Sequence, residues 1–238
     1  MLSACYADPF LSNFFHGKRP VHIASRSSNL AKMQVYECLM LLRAWYPKLR
    51  FHLHTVKTEG DRDKKTSLRC VENTHFFTGD VDALVHKGIC HFAVHSAKDL
   101  PRPSPLPIVA LTRCLHPADL LIYGRHYHVH SLPHVLHRIG SSSIRRTEIL
   151  KQHFPQAHIM DIRGTIEERL QQLKHGRYDA IVLAKAASLR LHLHRFHSIE
   201  LPPPYHPLQG SLAITALTFL DSWKKFFAPL HKPTFSYS

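Results

Sequence analysis

Three short stretches of this chain combine hydroxyls, arginine and the start of an amphipathic run. They are Arg26-Ser27-Ser28, Ser141-Ser142-Ser143-Ile144-Arg145-Arg146, and Arg163-Gly164-Thr165-Ile166-Glu167-Glu168-Arg169. Helix-start amides carry partial positive charge, so arginine is locally unfavourable there unless an anion shares the place. With an anion present, backbone N–H groups, a hydroxyl and a guanidinium fork converge on one carboxylate or phosphate. Taken singly, each stretch also reads as a helix cap, with Ser28, Ser143 or Thr165 capping and Thr165 to Glu168 forming a capping box. Three together, each with arginine, point to a ligand with several negative groups. No GxxxxGK[ST] and no GxGxxG occurs, so these are not phosphate loops.

The other candidate chemistry lies in His95-Ser96-Ala97-Lys98-Asp99-Leu100-Pro101, directly after the apolar run Cys90–Val94. Polar residues at the C-terminal end of a buried parallel strand are placed for chemistry. A carboxylate beside a lysine in a basic surrounding stays ionised at neutral pH, where it stabilises a cationic intermediate or relays protons. The plain alternative is a surface turn before proline. His126, His128 and His130 would share one strand face, but no HExxH occurs and no carboxylate or thiolate completes a ligand set, so no metal is expected. No nucleophile motif such as GxSxG occurs.

The elements that must position these residues alternate between strand and helix. Strands are expected at Val21–Ser25, Phe51–Lys57, Cys90–Val94, Ile108–Leu111, Leu120–Tyr123, Ile139–Ser142, His158–Ile162, Tyr178–Leu183 and Leu212–Leu217. Helices are expected at Asn29–Tyr46, Phe77–Lys87, Ile144–His153, Ile166–His175 and from Asp221. Thr58–Thr74 is polar and reads as a long loop. The fold class is α/β with mostly parallel sheets. Prolines near 101–118 and 202–209 mark two crossings between lobes. They suggest an extension at 1–19, a first domain of 20–114 plus 209–238, and a second domain of 115–208.

The net charge of +14 calls for an acidic partner, and the basic residues recur at strand-to-helix junctions rather than in a tail. A polyanionic small molecule fits this better than nucleic acid. Five cysteines, an odd number without a CxxC pair, suit a reducing cytoplasm. No apolar run reaches the length that spans a bilayer, so neither a membrane partner nor a membrane location is expected. The first twenty residues read as a loosely held extension interrupted by Asp8.

The ordered set of motifs resembles the porphobilinogen deaminase (hydroxymethylbilane synthase) family. Ile23 to Ala31 is similar to its R-x-S-x-L-A opening, and Thr58-Glu59-Gly60-Asp61 to its T-x-G-D. Ala93 to Pro101 is similar to A-V-H-S-x-K-D-x-P, the most specific of the set. Gly140 to Arg146 resembles G-[TS]-S-S-x-R-R. Arg163-Gly164 with Arg169 resembles R-G-N-x-x-x-R, with Thr165 in place of asparagine. Tyr178 to Ala184 resembles Y-D-A-I-[IV]-L-A.

The resemblance implies a fold like the type II periplasmic binding proteins, two-lobed with the active site in a cleft between lobes. It implies Asp99 as the catalytic carboxylate, contacting pyrrole N–H groups and assisting loss of ammonia and carbon–carbon bond formation. Arg26, Ser28, Arg145, Arg146, Arg163 and Arg169 would bind acetate and propionate groups of substrate, cofactor and growing chain. Ser96, Lys98, Ser142 and Ser143 would support them, and Phe77 would pack on a pyrrole ring. Asp61, Thr165 and Gln209 stand in motif positions and complete the expected site. The activity implied is condensation of porphobilinogen units into a linear tetrapyrrole by a monomer.

Departures from the family pattern are local. G-K-G-[LI]-F-[TV]-K-E is replaced by Asn73 to Asp80 without its glycines and lysines in register, and G-Q-G-A is reduced to Leu208-Gln209-Gly210-Ser211. The sequence reads as ending before the family's third domain, whose cysteine forms a thioether to the dipyrromethane cofactor. That cofactor is therefore expected to be non-covalent or absent. The alternative function is a non-catalytic binding module for pyrroles or other polycarboxylates.

Overall fold

The structure, a computed structural model, describes residues 8–67 and 74–232. Cys5, Cys70 and Asn73 lie outside the described residues. In chain order the main elements are α1 (Pro9–Phe15), β1 (Val21–Arg26), α2 (Asn29–Arg43), β2 (Phe51–Val56), α3 (Gly79–His86), β3 (Phe92–Ser96), β4 (Ile108–Leu111) and β5 (Asp119–Tyr123). They continue with β6 (Arg138–Gly140), α4 (Ile144–His153), β7 (His158–Met160), α5 (Ile166–Lys174), β8 (Ala180–Ala184), α6 (Lys185–Arg190), β9 (Ser198–Glu200), β10 (Leu212–Ala216) and α7 (Leu220–Phe227). The chain divides into two compact units, one of Met1–Gly60, Asn73–Leu115 and Gly210–Ser238, the other of Asp61–Glu72 and His116–Gln209.

The first unit holds a five-stranded sheet in the order β2-β1-β3-β10-β4. β2, β1 and β3 run parallel, and β10 enters antiparallel between β3 and β4. One face is the larger core. Val35, Cys38, Leu39 and Leu42 recur at helical spacing along α2 and pack with Ile23, Phe92 and Ile214 of the sheet and Trp223, Phe226 and Phe227 of α7. The opposite face carries Ala24 and Ala93 against Val81 and Val85 of α3.

The segment before β1 corrects the expectation of a loose extension. Asp8, read as an interruption, is an N-cap that accepts from Phe10 N and Leu11 N, and Pro9 occupies the first helical position. Leu11, Phe14 and Phe15 then share one face and are buried in the main core. Phe15 stacks on Tyr46 with ring centroids 4.5 Å apart.

The second unit holds a sheet in the order β7-β6-β8-β5-β9. β7, β6 and β8 are parallel, while β5 runs antiparallel to both β8 and β9. Each sheet is mostly parallel, as expected: four of its five strands run one way, and β10 in the first sheet and β5 in the second run against them. α4 covers one face through Ile149 and Leu150, and α5 covers the other through Leu170 and Leu173. The polar loop from Thr58 opens with a single helical turn, Glu59–Arg62. His126, His128 and His130 share no strand face, since 124–128 are turn and coil and Val129–Ser131 is one 3-10 turn.

Candidate functional site

In the first unit the expected residues gather at the C-terminal ends of β1 and β3. These strands are parallel neighbours with Ala24 opposite Ala93, so the turns after them leave the sheet at the same end. Arg26 closes β1, and Ser28 caps α2 by accepting from Ala31 N at 3.3 Å. The Arg26 guanidinium lies 4.5 Å from the centroid of the Phe77 ring, a cation–π contact. Phe77 ends a 3-10 turn just before α3. A Cβ at Gly60 would lie 2.3 Å from that ring, so only glycine allows the ring its seat. Beyond β3, the 3-10 turn Ala97–Asp99 carries Lys98 and Asp99, both half-buried, next to Ser96. Ala97 N donates to Ser211 O at 3.0 Å, which fastens this turn to the residue before β10.

In the second unit the junctions after β6 and β7 stand side by side, because those strands are parallel neighbours. Ser142 joins them: its Oγ donates to Ile162 O at 2.6 Å and accepts from Ile162 N at 2.9 Å. Ser143 precedes α4 as N-cap residue without a side-chain capping bond, whereas Thr165 and Glu168 form the capping box expected at α5. Gly164 sits at φ +106°, a backbone that L side chains rarely adopt. Arg163 donates through Nη2 to Asp63 O at 2.6 Å, and Arg169 through Nε to Gly164 O at 2.9 Å. Asp61 is in the turn Glu59–Arg62. Lys64 holds the nearby Glu168 carboxyl below its usual range, with the Thr165 amide adding to this, against burial and the charge of Asp61.

Asp119 is the residue that sequence reasoning missed. It opens β5 at 1% exposure, and both arginines of the β6 junction are anchored to it. Arg145 Nη2 is 2.6 Å from Oδ2 and Arg146 Nη2 is 2.6 Å from Oδ1. Burial pushes this carboxyl up, but the charges and hydrogen bonds of Arg146 and Arg145 outweigh it and hold the pKa at about 2. Gln209 belongs to the same knot. Its Nε2 donates to Pro117 O, Ala118 O and Asp119 Oδ1, and its Oε1 accepts from Arg146. Gln209 thus supports the arginines from behind, at 1% exposure. The available signal was a lone acid at the head of an apolar run, Ala118-Asp119-Leu120-Leu121-Ile122, since a buried carboxylate needs a cationic partner. Two guanidiniums on one carboxylate leave a net positive charge, so the junction remains suited to an anion. On the same unit, Arg163 also lines a concavity of about 480 Å³ with Lys64, Lys65, His175 and Arg177.

The family model "Porphobilinogen deaminase, dipyromethane cofactor binding domain" matches residues 21–221. A chain from Chlamydia pneumoniae named "Probable porphobilinogen deaminase" is 67% identical over 97% of this chain and 98% of its own length. One of the same name from Chlamydia trachomatis serovar D is 49% identical over 95% of this chain and 94% of its own. Among solved structures, an ancestral cationic amino acid solute binding protein superposes with a TM-score of 0.51 at 10% identity, covering 92% of this chain and 93% of that one. That likeness concerns the fold alone and matches the expected type II periplasmic-binding-protein class. On the matched span and the identities together, the chain belongs to the porphobilinogen deaminase family.

Proposed function

We propose that Asp99 is the catalytic carboxylate of this porphobilinogen deaminase, a hydroxymethylbilane synthase of tetrapyrrole biosynthesis, and that the arginines of its strand-to-helix junctions bind the acidic arms of its pyrroles. The observation that carries the reading is the Arg26–Phe77 stack, at the same end of the sheet as the Asp99 turn. An aromatic face, a guanidinium and a carboxylate suit the ring, the acidic arms and the N–H of one pyrrole. Asp99 accepts from the pyrrole N–H and stabilises the positive charge that develops as ammonia leaves. Lys98 and Ser96 flank it and orient acidic arms. Arg145, Arg146 and Ser143 take further carboxylates at the β6 junction, and Arg163, Thr165 and Arg169 at the β7 junction. The name shared by the relatives favours an enzyme over a binding module without turnover.

The family's dipyrromethane cofactor fits this donor set, since its acidic arms need guanidinium and hydroxyl partners, which Arg163, Arg169 and Ser143 supply. When bound it provides the carbon to which the first substrate unit is joined. Cys38 and Cys90 are core residues, and burial pushes the Cys90 thiol up to about 11, so neither is suited to a thioether. The cofactor is held by ionic contacts in this reading. Cys38, Cys90 and Cys114 are free thiols.

The test is consumption of porphobilinogen by purified protein, read by release of ammonia and formation of a linear tetrapyrrole. Asp99→Asn is expected to lower turnover by roughly 100-fold or more, the usual scale for losing one transition-state stabiliser. Turnover undiminished in Asp99→Asn would remove the assignment. Intact mass is expected to equal that of the polypeptide alone, and an added mass mapping to Cys114 would overturn non-covalent holding.

A further inference from the structure

A buried face of the first sheet holds a polar contact that the reaction chemistry above does not use. His95 Nε2 lies 3.1 Å from Asp82 Oδ1, and the two side chains are 3% and 4% exposed. Neither Asp82 oxygen has a well-aligned hydrogen bond among the described residues, and the Thr78 hydroxyl four residues before it is also unsatisfied. Burying these groups is costly, and an apolar pair of similar volume would hold the fold at least as well. Stability therefore does not account for the contact.

Its location does. Asp82 lies on α3, five residues after Phe77, and His95 lies on β3, four residues before Asp99. α3 starts directly after the turn that presents Phe77 to Arg26, and β3 ends at the turn that presents Asp99. Elsewhere these two elements meet mainly through apolar contacts of Val81, Val85 and Ala93, which resist sliding weakly. A polar contact at one short distance fixes the register that apolar packing leaves loose.

We propose that Asp82 and His95 are positioning residues of the deaminase reaction, locking the helix behind the Arg26–Phe77 stack to the strand that carries Asp99. This rests on the reading of Asp99 as the catalytic carboxylate. The pair touches no substrate; it sets the spacing between the group that holds the pyrrole and the group that stabilises its charge.

The experiment compares kcat and KM for porphobilinogen in Asp82→Asn, His95→Gln and the double variant, at a temperature where all are folded. Each single change is expected to lower kcat by tens of fold, up to roughly 100-fold, as displacement of about 1 Å does. KM is expected to stay within about threefold, because binding groups are untouched. The double variant puts a neutral pair able to hydrogen-bond in place of the contact and is expected to lose less than the product of the single losses. Val85→Ala, which loosens α3 without touching the contact, is expected to lower Tm while leaving kcat unchanged. If Asp82→Asn fails to fold, Asp82→Glu keeps the charge, shifts the register and is expected to lower kcat alone. Asp82→Asn or Asp82→Glu with kcat within twofold of the parent protein would overturn the proposal, as would a kcat loss in Val85→Ala equal to theirs. An active Asp99→Asn would instead sink the underlying assignment, so the two failures are distinguishable.

Discussion

Replacing Asp119 with asparagine strands two guanidinium groups on one buried site. In the native protein the carboxyl is held at about 2 against an ordinary value of 3.8, which corresponds to about 2–3 kcal/mol of stability at neutral pH. Removing one partner of a buried ion pair costs about 3–5 kcal/mol, and the partial exposure of Arg145, at 24%, places this case at the lower end, near 3. For a chain of this length that is a fall of about 6–12 °C in Tm. The direction with pH follows from the depressed carboxyl. Its contribution is complete above the ordinary carboxyl value and is lost as pH falls from about 4 to about 2. Thermal unfolding followed by circular dichroism, at neutral pH and through the acid range, is the assay. Asp119→Asn is expected to unfold earlier at neutral pH and to show a flatter acid limb. Adding Arg146→Met to it should recover part of the loss, because one stranded charge goes. A drop of less than about 2 °C with an unchanged acid limb would refute the account of Asp119 as anchor.

Three further outcomes are expected. Gly164→Ala forces a side chain into φ +106° with its Cβ 2.5 Å from Glu168 Oε2, so urea unfolding should show a loss of about 1–3 kcal/mol. His22 and His91 have lowered pKa values: burial is the main cause in both, with His54 and His52 adding to it at His22 and His22 at His91. The unfolded chain then takes up protons first, so stability is full above about pH 6.5 and falls as pH drops below it; His54→Gln should lessen the slope of Tm against pH. Iodoacetamide at mildly alkaline pH should leave Cys90 unmodified in the native protein, because burial pushes its thiol up to about 11, and peptide mapping reads this directly.

Most strands and helices were legible because their apolar spacing is regular. The apolar positions Leu30, Met33, Leu41 and Leu42 announce α2, although Met33 and Leu41 are exposed and the core face is Ala31, Val35, Cys38 and Leu42; the Thr165–Glu168 capping box announces the start of α5. α1 was not, since seven residues give too short a period, and its capping aspartate looks like a break until Leu11 and Phe14 are seen buried. The antiparallel entry of β10 and β5 was hidden for another reason: a fully buried strand reads the same in either direction. At the site, the arginines were visible as types at junctions, but their partner Asp119 lies 26 residues away from Arg145 along the chain. Gln209 was named from its motif as a ligand, and only the three oxygens around its amide nitrogen reveal it as a brace. Ser142 likewise reads as a ligand hydroxyl in sequence and proves to be a staple between two junctions.

The placement of β10 has a consequence for how the protein is made. The central position between β3 and β4 stays empty until residues 212–216 leave the ribosome, so the first sheet exists until then as separate pieces. α1 waits as well, because Phe10 stacks on Phe219 and Asp8 accepts from Ser222 Oγ. The sheet of the second unit is drawn from one stretch, 116–209, and can close earlier. The first part synthesised is thus the last to be finished, and during that interval its apolar strands depend on chaperones or on speed to escape aggregation.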